Sequence, residues 1–277
     1  MDHALIDRYS APVPRYTSYP TAPHFHAGVD AATYETWLEA ITPQESVSLY
    51  LHVPFCDRLC WFCGCHTKQV RRYDPITDYL EALHAEIRLV GRRLGRKSIS
   101  AVHFGGGSPT MMRPDDIRQL GEALRGVFAF DAECEISVEC DPNDIDDERL
   151  DAWSDFGVTR ASFGVQDFDP KVQQAINRIQ TFQQTRASVA GFSRRGVGSI
   201  NLDVLYGLPH QTMDGLQRTL EKTVALSPDR IALFGYAHVP WMKKHQQMID
   251  EAVLHLQRYG GATLTEGAAT SASQAPR

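Results

Sequence analysis

The sequence predicts an α/β fold in which parallel strands alternate with helices. Six short runs of apolar and β-branched residues are each followed by a Gly or Pro turn and an amphipathic helical pattern. The 277 residues, 43% of them hydrophobic, are enough for one large core. Repeated β-then-α units imply right-handed crossovers. Both a partial (β/α) barrel and an open doubly wound sheet fit, and in both the functional residues gather at the carboxyl ends of the strands.

The individual elements follow from short local patterns. Strands are expected at residues 46–53, 99–104, 133–139, 159–165, 199–205 and 230–236. The first helix is expected to open at Asp74-Pro75, a cap followed by proline at the first helical position. The later helices are expected to begin at or near Pro114, Asp144, Asp169, Thr181 and Thr212, and a last helical pattern covers 241–259.

The two ends of the chain differ from this repeating body. Residues 1–43 contain several prolines and many aromatic residues, so we expect an extended N-terminal arm that packs on the domain formed by residues 44–250. Residues 251–277 form a tail of different composition. From Glu266 to Arg277 the tail has no large apolar residue, so it cannot bury enough surface to offset the entropy of ordering, and we expect disorder there.

Charge and composition exclude several classes of protein. The net charge of −6 argues against nucleic acid as the main partner. No signal-peptide pattern and no run of about 18 apolar residues occurs, so neither secretion nor a membrane-spanning helix is expected. Four of the six cysteines lie within ten positions. Without a secretory signal such a group is typical of metal binding in a reducing cytoplasm.

The cysteine run Cys56-x3-Cys60-x2-Cys63 predicts a [4Fe–4S] cluster. Three thiolates on one loop fill three of the four cluster positions and leave one iron open for a cofactor or substrate. A zinc site is the alternative, although the spacing of these cysteines matches the usual paired zinc-binding patterns poorly. Inert thiols are a third interpretation. Cys65 is either a buried thiol or a residue with a redox or pocket role. Cys134 and Cys140 are expected to be small core residues.

Polar residues and glycines mark the other strand ends. Three glycines, Gly105 to Gly107, precede Ser108 and would present backbone N–H groups to a ligand, or form only a tight turn. Glu139 would accept hydrogen bonds from an amine or from ribose hydroxyls, or it would serve only as an N-terminal cap or a surface charge. Asp203, a charge amid strand residues, needs a partner, and Arg178 is a candidate for it; the alternative is that Arg178 is a solvated side chain.

Three histidines and the end of the fourth strand complete the strand-end residues. Gln166 and Asp167 end the fourth strand, where they would face the same edge of the sheet as the cysteine run. His52, His66 and His238 lie near strand ends and are expected to be satisfied structural histidines rather than metal ligands.

Taken together, these motifs resemble the oxygen-independent coproporphyrinogen III oxidases of the radical S-adenosylmethionine (SAM) superfamily. The resemblance runs from about residue 14 to residue 250, and it implies a partial (β/α)6 TIM-like barrel. Its most specific pieces are PRYTSYPTAPHF, YLHVPFCDRLCWFCGCH, FGGGSPT, EISVECDPN, SFGVQDFDPKVQQAINRIQ, NLDVLYGLPHQT and GYAHVP. The arm motif and Cys65 favour the oxidases over their haem-chaperone relatives.

The resemblance implies a role for each matched position. Cys56, Cys60 and Cys63 would bind the cluster, with the amino and carboxyl groups of a first SAM on the open iron. That SAM would be held by Tyr50, Phe62, Gly106 and Glu139. A second SAM would contact Gly107, Ser108, Gln166, Arg178, Asp203 and Ala237. Ser108 stands where the family more often has threonine, and Ile179 stands where the family commonly has an acidic residue.

The activity implied by the resemblance is anaerobic oxidative decarboxylation in haem biosynthesis. A 5′-deoxyadenosyl radical would abstract hydrogen from two propionates of coproporphyrinogen III, which become the vinyl groups of protoporphyrinogen IX. An electron-donor protein and a monomeric state are implied as well. Family members continue beyond this length with a C-terminal domain, so we expect a truncated or frameshifted chain with impaired turnover. The alternatives are a haem-chaperone-like protein and an inactive cluster-binding fragment.

Overall fold

A six-stranded parallel sheet forms the body of the protein. The computed structural model describes residues 20–21 and 24–254. The strands of the sheet are β1 (Val47–Val53), β4 (Ser98–Gly106), β5 (Ala129–Cys140), β6 (Arg160–Gln166), β7 (Ser199–Tyr206) and β8 (Arg230–Gly235). They pair in the order β1-β4-β5-β6-β7-β8, with every pair parallel. The predicted α/β alternation and all six predicted strands are confirmed.

The strand order separates the two architectures that periodicity left open. Each new strand of the sheet is added beside the preceding one, always on the same side. A doubly wound sheet reverses direction at a switch point, and this one does not. Among the described residues β1 and β8 each pair with one neighbour of the sheet, so the barrel stays open between them. The fold is therefore a partial (β/α)6 barrel, as expected.

Seven helices accompany the strands in the part of the chain that the structure describes. Their bounds are α1 (Ala31–Ala40), α2 (Asp74–Leu94), α3 (Pro114–Val127), α4 (Asp147–Phe156), α5 (Pro170–Ala175), α6 (Phe182–Arg194) and α7 (Met213–Ala225). Side chains of Asp146, Asp169, Thr181 and Thr212 cap the last four. Each cap accepts a hydrogen bond from an N–H group that would otherwise lack a partner. Asp74 lies in the first turn of α2 rather than at its cap.

The core lies between the sheet and its helices. On β4 the side chains of Val102 and Phe104 are fully buried, and Phe104 meets Trp153 and Phe156 of α4 edge-on at 5.0 and 5.1 Å between ring centroids. The alternate residue, His103, points to the opposite face of the strand. There it lines an interior cavity of about 390 Å³ together with polar residues of β5 and β6. Alternation along the strands thus separates an apolar outer face from a polar interior.

The N-terminal arm differs in part from the expectation of an extended segment. Residues Ala31–Ala40 of the arm are helical rather than extended, because Asp30 caps the helix and accepts a hydrogen bond from Thr33 N at 2.8 Å. The arm nevertheless packs on the body, where Arg93 of α2 pairs with Glu35 and Glu39. Residues 1–19, which hold the first half of the arm motif, and residues 22–23 lie outside the described part of the chain.

The predicted helix over 241–259 is wrong for the residues that are described. Two short 3-10 helices, Lys244–Met248 and Glu251–Val253, stand there instead. The buried side chain of Gln246 accepts a hydrogen bond from Val239 N at 2.6 Å, and this contact folds the segment back on itself. The expected disorder of residues 266–277 falls outside the described residues. Across 20–21 and 24–254, no helix is long and apolar enough to cross a bilayer.

Candidate active site

The cysteine run lies on a loop between β2 (Phe55–Cys56) and β3 (Lys68–Gln69), just beyond the carboxyl end of β1. These two short strands pair in parallel, so the loop leaves the sheet at Cys56 and returns beside it. Val70 N donates to Cys56 O at 3.0 Å and closes the base of the loop. The loop therefore has a fixed entry and exit at the edge of the barrel where the strands end.

The segment that follows α5 supports one side of this loop. Trp61 N donates to Ile176 O at 2.9 Å. The side-chain amide of Asn177 donates to Leu59 O at 2.9 Å. Asn177 has a left-handed backbone with φ of 52°, a conformation that asparagine tolerates better than most residues. Sequence reasoning missed Asn177, because a hydrogen bond to a backbone carbonyl leaves no pattern in the sequence of the loop.

The segment that follows β8 supports the other side. The amide of Gln246 donates to Phe62 O at 2.9 Å, and the Lys243 ammonium donates to Cys65 O at 3.0 Å. His245 Nε2 lies 2.6 Å from Cys63 O. Because a carbonyl oxygen only accepts, the hydrogen of this bond is on Nε2. None of these three residues was singled out from the sequence. Together with Asn177 they hold the loop between the segment that follows β6 and the segment that follows β8.

A cavity of about 200 Å³ lies beneath the loop and collects most of the predicted site residues. It is lined by Cys56, Cys60, Phe62, Cys63, Cys65, Gly106, Gly107, Ser108, Glu139, Gln166, Arg178 and Asp203, among others. Tyr50 is outside this lining and borders the interior cavity, which also reaches Glu139. Ala237 borders a third cavity of about 300 Å³ that shares Phe62, Gln166 and Asp203 with the first. Three adjoining spaces therefore run along the strand ends.

The glycine run allows the cysteine loop and the end of β4 to approach closely. A Cβ on Gly107 would lie 2.4 Å from Phe55 O, and Gly106 has φ of 112°, which other residues rarely adopt. The N–H groups of Gly106, Gly107 and Ser108 all donate within the protein, to Glu139, Val53 O and Phe55 O. The expectation that these groups are presented to a ligand is therefore wrong. The glycines instead bring backbones together.

Glu139 is held as a carboxylate at the end of β5. It accepts from Gly106 N at 3.0 Å, and His103 Nε2 lies 3.4 Å from its other oxygen. Burial alone would raise the pKa of Glu139, but the His103 side chain and the Gly106 N–H together hold it below its usual value. His103 is itself positioned by Ser137 Oγ, 2.6 Å from its Nδ1. An ionised acceptor thus faces the cavity at neutral pH.

Asp203 and Arg178 do not pair, contrary to the sequence-based expectation. Asp203 accepts from Asn201 Nδ2 at 2.8 Å and from Ser162 Oγ at 3.3 Å, and burial raises its pKa. Arg178 lies against Asp141 instead, with Nη1 2.8 Å from its Oδ2. The hydrogen bonds from Asn201 and Ser162 replace a cationic partner, because amide and hydroxyl donors stabilise a buried carboxylate without a cation. Asp141 is a site residue that sequence reasoning missed.

Arg178 contacts one member of a group of three carboxylates. Asp57, Asp141 and Asp144 each place an oxygen within 4.8 Å of the others. Ser108 Oγ donates to Asp144 at 2.5 Å. Burial, followed by the charge of Asp141, raises the pKa of Asp144 to about 6. At neutral pH this corner of the cavity carries crowded negative charge, and Arg178 neutralises part of it.

The other sequence expectations can be placed directly. Cys65 is exposed, so the reading of it as a buried thiol is wrong, and its N–H lies 3.4 Å from Cys63 Sγ. Cys134 and Cys140 are buried core residues, as predicted. His52 meets Tyr50 OH at 2.9 Å and His66 O at 2.9 Å, which makes it a satisfied structural histidine.

Two more of the strand-end residues have satisfied side chains. His238 lies between Tyr236 OH and Glu251, at 2.8 and 3.1 Å, as the expectation of a structural histidine requires. Asp167 is fully buried and accepts from Thr219 Oγ1 at 2.7 Å and Gln211 Nε2 at 2.6 Å, below the cavity rather than in its lining. The adjacent Gln166 has φ of 63°, an uncommon backbone conformation that turns β6 at the cavity.

Comparison with known proteins decides the family. The model of the radical SAM superfamily matches residues 50–223, which span every strand of the barrel except β8 and the first three residues of β1. The chain belongs to the radical SAM superfamily. The matched region includes the cysteine loop, the glycine run, Glu139 and Asp203.

Curated relatives narrow the comparison within the radical SAM superfamily. The oxygen-independent coproporphyrinogen III oxidase of Bradyrhizobium diazoefficiens is 50% identical over 243 residues, covering 87% of this chain and 54% of that protein. The oxidase of the same name from Paracoccus denitrificans is 47% identical over 247 residues, covering 89% of this chain and 55% of its own length. The chain spans about half the length of the curated relatives it matches.

A solved structure agrees with the fold. Coproporphyrinogen III oxidase from Escherichia coli, described as a radical SAM enzyme, superposes with a TM-score of 0.86 at 37% sequence identity. The superposition covers 98% of this chain and 61% of the E. coli protein. This likeness extends to the whole described barrel of the present chain.

The donor set of the loop fits the iron–sulfur cluster of radical SAM proteins. Cys56, Cys60 and Cys63 share one cavity, yet among the described residues no three cysteine, histidine or acidic donors that include them lie within 4.8 Å of one another. A single zinc ion needs such close convergence, whereas a cubane carries each thiolate on a different iron and spreads its ligands. The cofactors of the chain are accordingly a [4Fe–4S] cluster and SAM.

Proposed function

We propose that this chain provides the radical SAM barrel of an oxygen-independent coproporphyrinogen III oxidase. The reaction would convert two propionates of coproporphyrinogen III to the vinyl groups of protoporphyrinogen IX. Each conversion releases CO2 and removes one hydrogen atom and one electron from the propionate. The observation that carries the proposal is the convergence of three cysteines, an ionised Glu139 and Asp203 on one cavity at the strand ends. The names of the curated relatives support the substrate.

In this proposal Cys56, Cys60 and Cys63 hold the cluster, and the fourth iron remains for SAM. The loop that carries them is held by Asn177 on one side and by Gln246 and His245 on the other. Because these contacts go to backbone carbonyls, they fix the path of the loop and leave its thiols free to bind iron. Burial raises the pKa of the Cys56 thiol to about 12, so loading of metal must release protons.

The first SAM would be held by Tyr50, Phe62, Gly106 and Glu139. Glu139 supplies an ionised acceptor for the amino group, and its geometry is already set by Gly106 N and His103. The second SAM would contact Gly107, Ser108, Gln166, Arg178, Asp203 and Ala237. The first five of these line the cavity beneath the cysteine loop, and Gln166, Asp203 and Ala237 line the third cavity. When bound, the cluster would supply one electron for the cleavage of SAM, and the product of that cleavage would abstract a hydrogen atom.

The barrel residues would position the substrate and exclude water. The polar interior cavity, of about 390 Å³, adjoins the cavity beneath the cysteine loop at Glu139 and Ser162. A propionate side chain could therefore approach the reacting centre from within the barrel. Residues 44–250 would form the catalytic body and 1–43 the arm, with 251–277 beyond it. The net charge of −6 supports a protein that does not act on nucleic acid.

Partners and location belong to the same proposal. An electron-donor protein would reduce the cluster, and the chain would act as a monomer. The chain would act in the reducing cytoplasm, where four cysteines within ten positions are typical of metal binding rather than of disulfides.

The proposal is tested by anaerobic reconstitution with iron and sulfide, followed by SAM and coproporphyrinogen III. The expected result is about four irons per chain, an absorption or electron paramagnetic resonance (EPR) spectrum that changes when SAM is added, and formation of decarboxylated porphyrinogen. A matched control replaces Cys60 with serine, which should abolish the cluster, while Cys134→Ser should retain it. A chain that binds no iron–sulfur cluster under these conditions would contradict the proposal.

A further inference from the structure

The guanidinium of Arg178 makes four contacts between the cysteine loop and the ends of β5 and β6. Its Nη1 lies 2.8 Å from Asp141 Oδ2 and 3.7 Å from Cys60 Sγ. Nη2 donates to Gly164 O at 2.9 Å, and Nε donates to Gln180 Oε1 at 3.0 Å. These contacts use four of the five N–H groups of an arginine. With a side chain only 12% exposed, Arg178 has its position fixed before any cofactor binds.

Cys60 is the buried member of the three-cysteine run. It is 8% exposed, whereas Cys56 and Cys63 are only partly buried. A cation beside a thiolate that is shielded from water acts with little screening, because the surroundings have a low effective dielectric constant. The electrostatic effect of Arg178 on a cluster bound at Cys60 is therefore stronger than that of any exposed charge on the loop.

We propose that Arg178 sets the reduction potential of the cluster through its N–H contact with Cys60 Sγ. This inference rests on the proposed ligation of the cluster by Cys56, Cys60 and Cys63. Reduction adds one electron to the cluster, and the nearby guanidinium stabilises that added negative charge. Hydrogen bonds to the cysteine sulfurs and net charge are known determinants of iron–sulfur potentials. Arg178 acts as a positioning and electrostatic residue and does not ligate iron.

Asp141 opposes this effect and gives the proposal a sign that can be checked. Its carboxylate is buried, contacts Arg178 Nη1 and also accepts a hydrogen bond from Asn143 N at 3.0 Å. The same Nη1 atom contacts both Asp141 Oδ2 and Cys60 Sγ, so the two charges of the pair act on a cluster at Cys60 with opposite signs. Removing the charge of Arg178 leaves Asp141 uncompensated and makes the cluster harder to reduce. Removing the charge of Asp141 leaves Arg178 unopposed and makes the cluster easier to reduce.

Measurement without SAM separates this role from contact with a second SAM. A residue that only binds SAM leaves the potential of the SAM-free cluster unchanged when it is replaced. A residue that only supports the fold changes cluster content or stability, and Arg178→Gln and Asp141→Asn would then act alike. Opposite shifts from the two variants are expected from the electrostatic role alone.

The experiment is a potentiometric titration of the full chain, reconstituted anaerobically, with dithionite as the one-electron reductant and EPR detection of the reduced cluster. Arg178→Gln should shift the reduction equilibrium at least tenfold toward the oxidised form, which is 59 mV for a one-electron couple. Arg178→Lys should shift it less, because the positive charge is kept. Asp141→Asn should shift it in the opposite direction. Arg195→Gln is the control, since Arg195 pairs with Asp147 and Asp151 on the helical side of the sheet.

Failure of the inference can be distinguished from failure of the proposed function. If the wild-type chain forms no cluster, both are overturned. If it forms a SAM-responsive cluster but Arg178→Gln titrates at the wild-type potential, or Asp141→Asn leaves the potential unchanged or lowers it, the role of Arg178 alone is overturned. Asp141→Asn keeps Arg178 in the chain and still changes the charge beside it, so the test stays decisive even where Arg178→Gln does not load with cluster.

Discussion

The side-chain amide of Gln246 donates to Phe62 O at 2.9 Å, across a sequence separation that spans most of the barrel. Gln246 is 1% exposed and also accepts from Val239 N at 2.6 Å. One buried side chain therefore ties the segment after β8 to the middle of the cysteine loop. The conformation of the loop depends on the last strand as well as on the first.

Replacing Gln246 with alanine should destabilise the protein and loosen the loop. The change leaves Phe62 O and Val239 N without their partner, and an unsatisfied buried group costs about 1–3 kcal/mol. We expect the free energy of unfolding of the metal-free chain, measured in urea, to fall by that amount. Cluster content after reconstitution should fall as well. Gln217→Ala, which removes an exposed contact with Glu221, should change neither quantity. Equal stability of both variants would contradict this account.

Gly107 should not tolerate a side chain. A Cβ there would lie 2.4 Å from Phe55 O and 2.8 Å from Phe55 N, and these backbone atoms cannot rotate away. Gly107→Ala should therefore displace the start of the cysteine loop, with a loss of more than about 2 kcal/mol of stability, in the range of overpacked cores. Thermal unfolding of the metal-free chain measures this loss.

Gly126 provides the matched control for that substitution. It lies in α3, and no atom is found within 4 Å of a Cβ added to it. Gly126→Ala should be neutral or stabilising by up to about 1 kcal/mol, since alanine favours a helix more than glycine does. A loss of stability from Gly126→Ala as large as that from Gly107→Ala would show that the close approach to Phe55 is not the cause.

The strands and caps could be predicted because their signals are local. The caps at Thr181 and Thr212 and the strand ends at Glu139 and Gln166 follow from short patterns. Parallel topology then brings the strand ends together without further information.

The partners of the site residues could not be predicted, because they depend on distances in the folded chain. Asp141 and Asp203 both follow or lie within barrel strands, yet Arg178 reaches only Asp141. The expected helix after Trp241 fails for a similar reason. The periodicity is present, but the buried hydrogen bonds of Gln246 outweigh helix propensity in that segment.

Asp144 should make the stability of the metal-free protein fall as pH rises from about 4 to about 6. Burial and the charge of Asp141 raise the pKa of Asp144 to about 6, above its value in an unfolded chain. The folded protein therefore binds this proton more tightly, and the stabilisation is complete below the unfolded pKa and lost above the folded one. The shift of roughly two units corresponds to about 1–3 kcal/mol. Urea unfolding at pH 5 and pH 7 measures it.

Asp144→Asn should remove this dependence and stabilise the metal-free protein at pH 7. The amide keeps the contact with Ser108, and it adds no charge beside Asp57 and Asp141. The matched control is Asp155→Asn, at an exposed helical position that pairs only with Arg118 at 3.8 Å. The difference in unfolding free energy between pH 5 and pH 7 should shrink in Asp144→Asn and persist in Asp155→Asn. An unchanged pH dependence in Asp144→Asn would rule out Asp144 as its source.

Glu139→Gln should weaken the binding of SAM to the reconstituted chain at least tenfold. An ionised acceptor contributes about 1.5–3 kcal/mol to a hydrogen bond with a charged donor, and the amide loses that charge. His103 and Gly106 N hold the pKa of Glu139 below its usual value, so the loss should be the same at pH 6.5 and pH 8. Titration of SAM into the anaerobic cluster-bearing protein, followed by EPR, gives the dissociation constant. Glu135→Gln is the control. Glu135 lies on the same strand, is exposed and pairs with Arg160, so its replacement should leave the dissociation constant of SAM unchanged. Equal affinity of wild type and Glu139→Gln would place the amino group of SAM elsewhere in the cavity.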